Sequence, residues 1–495
     1  MEPDSNRGSR QAIPKRLPLT RWSPMLRLIP PPRKPLLSTI GLVGLALFLG
    51  ALLRLWFLYT YPTVAGDSLV YGGIAKNWML HGIYGRMTRV GIQPTLIRLP
   101  GYPLFLVACF SLFHIENYNA VVFVQIAIDL CACLILAAFA TRVWSRRAGW
   151  WTLWLSCLCP FTANYAAIPL TETLELFCIT ASLYAFVRFL EDPRKRWLFL
   201  MAAAWSYAAL LRPDGPLLAV AFCPAIYFYG RRRWGTPRML RSAVIAGILS
   251  ILPFIAWTIR NWETFHVFEP LAPRYAVDPG QSSDPGFNRW TKAICVDFAC
   301  TSDIYWNGGT DAIHPDSLPS RAFPSPAVRA ATLRLLADYN RTKVITPSID
   351  ARFGALATRI LQANPFRYYV ELPLARLADM WLRPRTEMIW IELRWWQYSK
   401  HPGDTIFAAA YALLNLAFLL AALRGICKRP PFWGAILAFV LLRCALLATL
   451  EAPEPRYTLE CFPMIIVLTA IAFTRTPAHR AWLAEPANRH SPSQS

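Results

Sequence analysis

The sequence is poor in charge, in histidine and in acid. Of its 495 residues only 16% are Asp, Glu, Lys or Arg, seven are His, and 29 acidic residues stand against 51 basic ones. So little charge over so long a chain excludes an ordinary soluble protein, in which about a quarter of residues are charged. No Cys/His spacing resembles a zinc site. A Gly-rich phosphate loop between a strand and a helix is also missing, which argues against a nucleotide-sugar fold. The basic excess gives a formal net charge of +22, yet Lys and Arg are split among short groups beside apolar runs. That distribution fits membrane orientation and attraction to anionic lipid headgroups, and it argues against nucleic acid as a partner.

What the chain has in quantity is hydrophobic residues, 55% of the total, and 20 Trp. Ten stretches have roughly the 17 to 25 apolar residues that cross a bilayer as helix. They lie near 36–60, 117–141, 148–168, 170–190, 197–212, 214–230, 241–260, 405–424, 431–450 and 457–474. The expected fold is therefore an all-α polytopic membrane protein with about 10 to 12 transmembrane helices. A shorter stretch, "LPGYPLFLVACFSLFH" at 99–114, opens with two prolines and is read as interfacial or re-entrant. Only then do the basic groups at Arg142, Arg146 and Arg147, at Arg194–Arg196, at Arg231–Arg233 and at Lys428–Arg429 share one side with both tails. The positive-inside rule makes that side the cytoplasm.

The resulting plan has a disordered basic cytoplasmic tail at 1–35 and an uncleaved anchor, because no small-residue cleavage site follows the first apolar run. A transmembrane catalytic module at 36–260 includes the first outer loop, 61–116, with interfacial helices. A periplasmic segment of mixed structure at 261–404 carries 16 basic and 15 acidic residues. Transmembrane helices at 405–474 and a cytoplasmic tail at 475–495 complete the chain. Ten of the 12 cysteines lie in or beside apolar runs, where they pack as small residues. Cys295 and Cys300, in "CVDFAC" on the outer segment, are placed for a local disulfide if that compartment oxidises.

Ionisable groups beside lipid are costly, so each is a functional candidate. The topology gathers them at the outward ends of the spans: Arg54, Asp67, Lys76, Arg98, Glu172, Arg212, Asp214, Arg260, Glu451, Glu454 and Arg456. Any one of them alone reads as a snorkelling side chain or a helix-end cap. Asp129 and Arg443 lie deeper, where pairing within the bundle accounts for them. Tyr59, Tyr61, Trp257 and Trp262 read as an interfacial aromatic belt. As a cluster, guanidiniums suit a phosphate, whose oxygens they bind bidentately, and a neighbouring carboxylate suits proton abstraction from a hydroxyl.

Six motifs carry a family resemblance: "GDSLVYGGIAKNWMLHGIYG", "RLPGYPLFL", "IPLTETLELF", "LLRPDGPLL", "LPFIAWTIRNWETFHVFEPL" and "PEPRYTLECFPMIIVL", in order from residue 66 to about 468. With them the chain resembles the GT-C class of integral-membrane glycosyltransferases, in the bacterial branch related to the lipid A aminoarabinose transferase and the dolichyl-phosphate-mannose protein mannosyltransferases. The resemblance implies inverting transfer of a sugar, hexosyl or pentosyl, from a polyprenyl-phosphate donor to a hydroxyl acceptor on the periplasmic face of the inner membrane. It matches Asp67 to the family's acidic residue of the first outer loop, as general base, and Glu172 to a second acidic position. Arg98, Arg260 and Arg456 look like donor-phosphate contacts, with Arg54 added. Lys76, Tyr71, Arg212, Asp214 and Tyr457 are candidate substrate contacts. Some relatives carry an adjacent Asp-Glu pair where this chain has Asp67 followed by Ser68, which weakens a specific assignment as a protein mannosyltransferase.

The implied partners are the lipid-linked sugar, membrane lipids, and a glycan, lipid or protein acceptor that the sequence leaves unidentified. No cofactor is called for. A divalent metal on Asp67 and His81 is disfavoured because they are 14 residues apart and no second histidine is near in sequence. Asn340 in "NRT" fits a glycosylation sequon by pattern. The rival reading is a lipid or solute transporter or flippase without transferase activity. Against it stand the absence of a convincing internal repeat and a polar cluster at one face instead of the midplane.

Overall fold

The computed structural model describes residues 36–62, 64 and 66–476. The tails expected at 1–35 and 475–495 lie outside or at the margin of those residues. By compactness the chain divides into Met1–Leu45 and Ala46–Ser495. Of the first unit, only the opening turns of α1 (Leu36–Thr60) are described; the following account concerns the second.

After α1 come α2 (Asp67–His81), a two-stranded antiparallel hairpin of β1 (Gly85–Thr88) and β2 (Gly91–Pro94), and α3 (Gly101–Phe113). The bundle continues with α4 (Tyr118–Val143), α5 (Arg146–Cys157), α6 (Pro160–Ala166), α7 (Glu172–Glu191), α8 (Lys195–Leu211), α9 (Pro216–Trp234) and α10 (Thr236–Phe265). Next are α11 (Pro285–Ile294), the single turn α12 (Phe298–Cys300), α13 (Pro326–Thr342), α14 (Pro347–Ala363) and α15 (Leu372–Leu382). The chain returns to the bundle with α16 (Pro402–Cys427), α17 (Trp433–Leu447) and, after a 3₁₀ stretch at Pro455–Cys461, α18 (Phe462–Ala472).

Among the described residues six helices are long and apolar enough to cross a membrane: Thr39–Thr60, Tyr118–Val143, Glu172–Glu191, Thr236–Phe265, Pro402–Cys427 and Pro455–Ala472. The other apolar stretches of the sequence are helical but less uniform. Residues 148–168 divide into α5 and α6, because Pro160 cannot supply the N–H that would continue α5. Helices α8 and α17 are 17 and 15 residues long, and α9 ends in Arg231–Arg233. The stretch at 99–114 is the 13-residue α3, too short to span as a helix.

The bundle packs α4 on α5 and α7, α7 on α8, α8 on α9 and α10, and α16 on α18. Its core includes Phe139, Phe186, Trp205, Phe222, Phe432 and Phe462, all at most 2% exposed. A second core, built on Trp290, Leu335, Tyr339 and Phe353, is formed by α11, α13 and α14. Cys295 and Cys300 are joined in a disulfide beside it. The carboxamide of Asn340 is committed to the backbone of Ile313, accepting from its N–H at 2.9 Å and donating to its C=O at 3.0 Å. The segment 261–404 is helical with irregular links; among the described residues the only strands are β1 and β2.

Candidate functional site

The site is assembled at one end of the bundle, where α1 finishes, α7 begins, α8 finishes and α18 is about to start. Asp67 opens α2, preceded by Gly66 at φ 54°, a left-handed backbone that glycine adopts without a Cβ penalty. The carboxylate in the first turn also faces the positive end of the helix dipole. Arg98 rides on the extended chain between β2 and α3. There α3 approaches the C-terminal end of α8 so closely that a Cβ on Gly101 would lie 2.6 Å from the Leu210 carbonyl oxygen. Arg456 comes from the turn between α17 and α18, 389 residues after Asp67.

These three meet in one arrangement. Arg98 Nη2 donates to Asp67 Oδ1 at 2.6 Å, and Arg456 Nη2 donates to Oδ2 at 3.1 Å, so each carboxylate oxygen faces a guanidinium. Burial pushes the Asp67 carboxyl up, but the charges of Arg456 and Arg98 more than offset it and hold the group below the usual carboxylate range. The Asp67 side chain still keeps 29% of its surface exposed. It opens onto a pocket of about 280 Å³ lined also by Tyr71, Glu172, Arg212, Tyr305, Trp306 and Tyr457. Arg98 lies over the Tyr71 ring and Arg212 over the Tyr457 ring, at 5.6 and 5.2 Å from the centroids, distances that suit cation–π attraction.

Below the pocket the charges continue inward. Arg212 reaches Glu172, Glu175, Asp214 and Glu460 at 3.2 to 3.4 Å. Arg443 pairs with Asp214 at 2.9 Å and Glu460 at 2.7 Å. Arg456 also contacts Glu454 at 2.6 Å, and Tyr457 donates its hydroxyl to the same carboxylate. The roof is held by Arg274 and Lys292, both paired with Glu451.

Of the candidate residues read from the sequence, Asp67, Tyr71, Arg98, Glu172, Arg212, Arg456 and Tyr457 line this one pocket. Asp214 sits behind it, joined to Arg212 and Arg443. Three others, Arg54, Lys76 and Arg260, lie outside this pocket. Arg54 is 0% exposed and pairs with Asp129 of α4, with Nη1 donating to the carbonyls of Gly50 and Cys157 at 2.7 Å. Its position in the last third of α1 turns it into the helix interface. Lys76 pairs with Glu116 on the surface. Arg260 donates to the carbonyl oxygens of Thr95 and Tyr84 and lies over Trp257, which is buried in that contact instead of facing lipid. Arg260 therefore fixes the loop that carries Arg98.

Several contributors were absent from the sequence reading. Asp278 accepts from Thr95 Oγ1 and the Leu96 N–H and ties down the other side of the Arg98 loop; nothing around it marks it. Glu175 and Glu460 carried a readable signal, an acid inside an apolar run. Tyr305 and Trp306 come from a π-helical turn with no motif. Among the described residues no group of three His, Cys, Asp or Glu is arranged to hold a metal ion.

With this geometry in view, the class is that of a multi-pass helical membrane protein similar to the GT-C glycosyltransferases. The family model of dolichyl-phosphate-mannose-protein mannosyltransferases matches residues 94–257, a span that holds Arg98, Glu172 and Arg212. Among solved structures, ArnT from Cupriavidus metallidurans bound to undecaprenyl phosphate is 15% identical over 88% of this chain and 76% of its own, with a TM-score of 0.38. The oligosaccharyltransferase AglB from Archaeoglobus fulgidus, in complex with an inhibitory peptide and a dolichol-phosphate, is 12% identical over 87% of this chain, with a TM-score of 0.47. This chain spans 50% of the AglB length. No curated protein sequence matches the chain.

Proposed function

We propose that the protein is a membrane glycosyltransferase that moves a sugar from a polyprenyl-phosphate donor to a hydroxyl acceptor, with inversion at the anomeric carbon. The observation that carries this reading is the Asp67 carboxylate, held ionised between Arg98 and Arg456 at an open pocket. The acceptor oxygen attacks the anomeric carbon as its bond to the phosphate oxygen breaks, and that bonding pair leaves with the polyprenyl phosphate. Asp67 takes the acceptor proton. An arriving donor phosphate draws Arg98 and Arg456 onto its own oxygens and so frees Asp67 to act as base. The guanidiniums stabilise the departing phosphate, for which no nucleotide site is needed. Glu172, 1% exposed at the pocket floor, orients Arg212 and Arg456.

The topology proposed with it is an inner-membrane protein with both termini cytoplasmic and the pocket periplasmic. The basic loops and the Cys295–Cys300 disulfide, which persists in an oxidising compartment, support that orientation. The transporter reading has less support, because the deep ion pair Arg54–Asp129 is closed and fully partnered instead of lining a path.

The test is to incubate purified protein with a panel of polyprenyl-phosphate sugars and measure released lipid phosphate. Asp67→Asn should retain its fold and donor binding and lose turnover by about 10²- to 10⁴-fold, the usual worth of a positioned base. Full turnover in that variant would remove Asp67 from the chemistry.

A further inference from the structure

We infer that a second anion site lies between α13 and α14, separate from the Asp67 pocket, and that it binds a ligand carrying more than one phosphate charge. The two helices flank a groove of about 480 Å³. Arg334 and Arg341 face it from α13 and Arg352 and Arg359 from α14, with Asp338 as the one carboxylate in its lining. The spacing is three, four and seven residues along each helix, which puts these side chains on a single face. Over 261–404 the basic and acidic residues nearly balance at 16 to 15, so four guanidiniums against one acid is a local choice, not the character of the segment.

The one acid is already engaged. Asp338 contacts Arg352 at 2.8 Å and Arg341 at 3.6 Å. Arg334 and Arg359 have no carboxylate within 4 Å among the described residues, although both border the groove. Two unpaired guanidiniums across one concavity repel each other, and a dianionic ligand bridging them replaces that repulsion with bidentate hydrogen bonds. The floor leaves room for it, because Ala331, Ala337 and Ala355 present only methyl groups where longer side chains would fill the groove. The site stands on solid backing: Leu335 and Leu356 run from the groove into the core around Trp290 and Phe353. Helix α14 packs on α11, which in turn contacts the turn carrying Tyr305 and Trp306 into the Asp67 pocket. The inference does not depend on glycosyl transfer.

Such a phosphate has two sources, a soluble phosphorylated molecule or a lipid headgroup, and two probes separate them. The full-length protein in neutral detergent is titrated with inorganic pyrophosphate and, separately, with a water-soluble short-chain phosphatidic acid. Saturable binding of either, weakened at least tenfold in Arg334→Gln/Arg359→Gln and strengthened in Asp338→Asn, is the expected result; the tighter probe identifies the source. Because Arg334 and Arg359 are exposed, folding should be unaffected, and an unchanged thermal unfolding midpoint of the double variant in detergent checks that. No binding by either probe overturns the inference. So does wild-type affinity in Arg334→Gln/Arg359→Gln, which would assign the anion to Arg98 and Arg456.

Discussion

Two ion pairs in this chain look alike in sequence and behave differently in structure. Arg54 with Asp129 and Arg98 with Asp67 are each an arginine and an aspartate beside an apolar run. Around Arg54 the donors go to Asp129 and to the carbonyls of Gly50 and Cys157, and no surface is left for a ligand. Around Asp67 both oxygens are occupied as well, but by arginines that border an open pocket. What separates the two pairs is spare access, not charge or depth alone.

That contrast can be broken or sharpened by mutation. The largest effect is expected at the closed pair. Arg54→Ala leaves Asp129 buried and uncompensated, a loss of about 3–5 kcal/mol, and thermal unfolding in detergent should show it. Replacing both, as Arg54→Met/Asp129→Leu, should recover most of that stability, because the desolvation penalty disappears with the charges. At the open pair the order reverses. Arg98→Gln should change unfolding little and lower turnover by about tenfold or more. It should also move the acid limb of the pH–rate profile upward: Arg98 helps hold the Asp67 carboxyl low, so without it the base protonates at a higher pH. A profile that stays in place would mean that Asp67 does not set the limb.

Smaller changes probe the supports. Arg260→Ala should reduce turnover with no direct loss of a pocket contact, since it frees the carbonyls of Thr95 and Tyr84 and loosens the Arg98 loop. Lysine at 260 supplies one ammonium in place of a planar fork and should rescue it only in part. The smallest effect concerns Glu387, outside the spans, which burial pushes up to about 7 despite Arg385. A raised carboxyl favours the protonated folded state, so the stability this group contributes is lost as pH rises from its unfolded value toward 7. Glu387→Gln should flatten that part of the stability-versus-pH curve; an unchanged slope would show that Glu387 titrates normally.

Much of this was legible in the sequence, and the parts that were not have physical reasons. The helical class follows from apolar length, and the grouping of Asp67, Arg98, Glu172, Arg212 and Arg456 follows from placing span ends on one side. The weakness of α3 as a span was readable from its length and prolines. Depth was harder: Arg54 sits only a few residues from the end of α1, and a helix places each residue on a definite face that composition does not reveal. The role of Arg260 depends on two carbonyls more than 160 positions earlier, contacts that no local pattern encodes. Asp278 arrives from irregular chain, and the aromatic pair Tyr305 and Trp306 from a short π-helical turn, where neither periodicity nor capping leaves a mark.

The bond between Arg456 and Asp67 joins residues 389 positions apart. During synthesis the first emerges only after nearly every other helix has been made, so for most of its assembly the chain carries Asp67 without its second guanidinium. A nascent or truncated chain lacking the last turn and α18 lacks the wall of the pocket that Arg456 and Tyr457 supply. The pocket around Asp67 therefore closes only once the turn after α17 is in place.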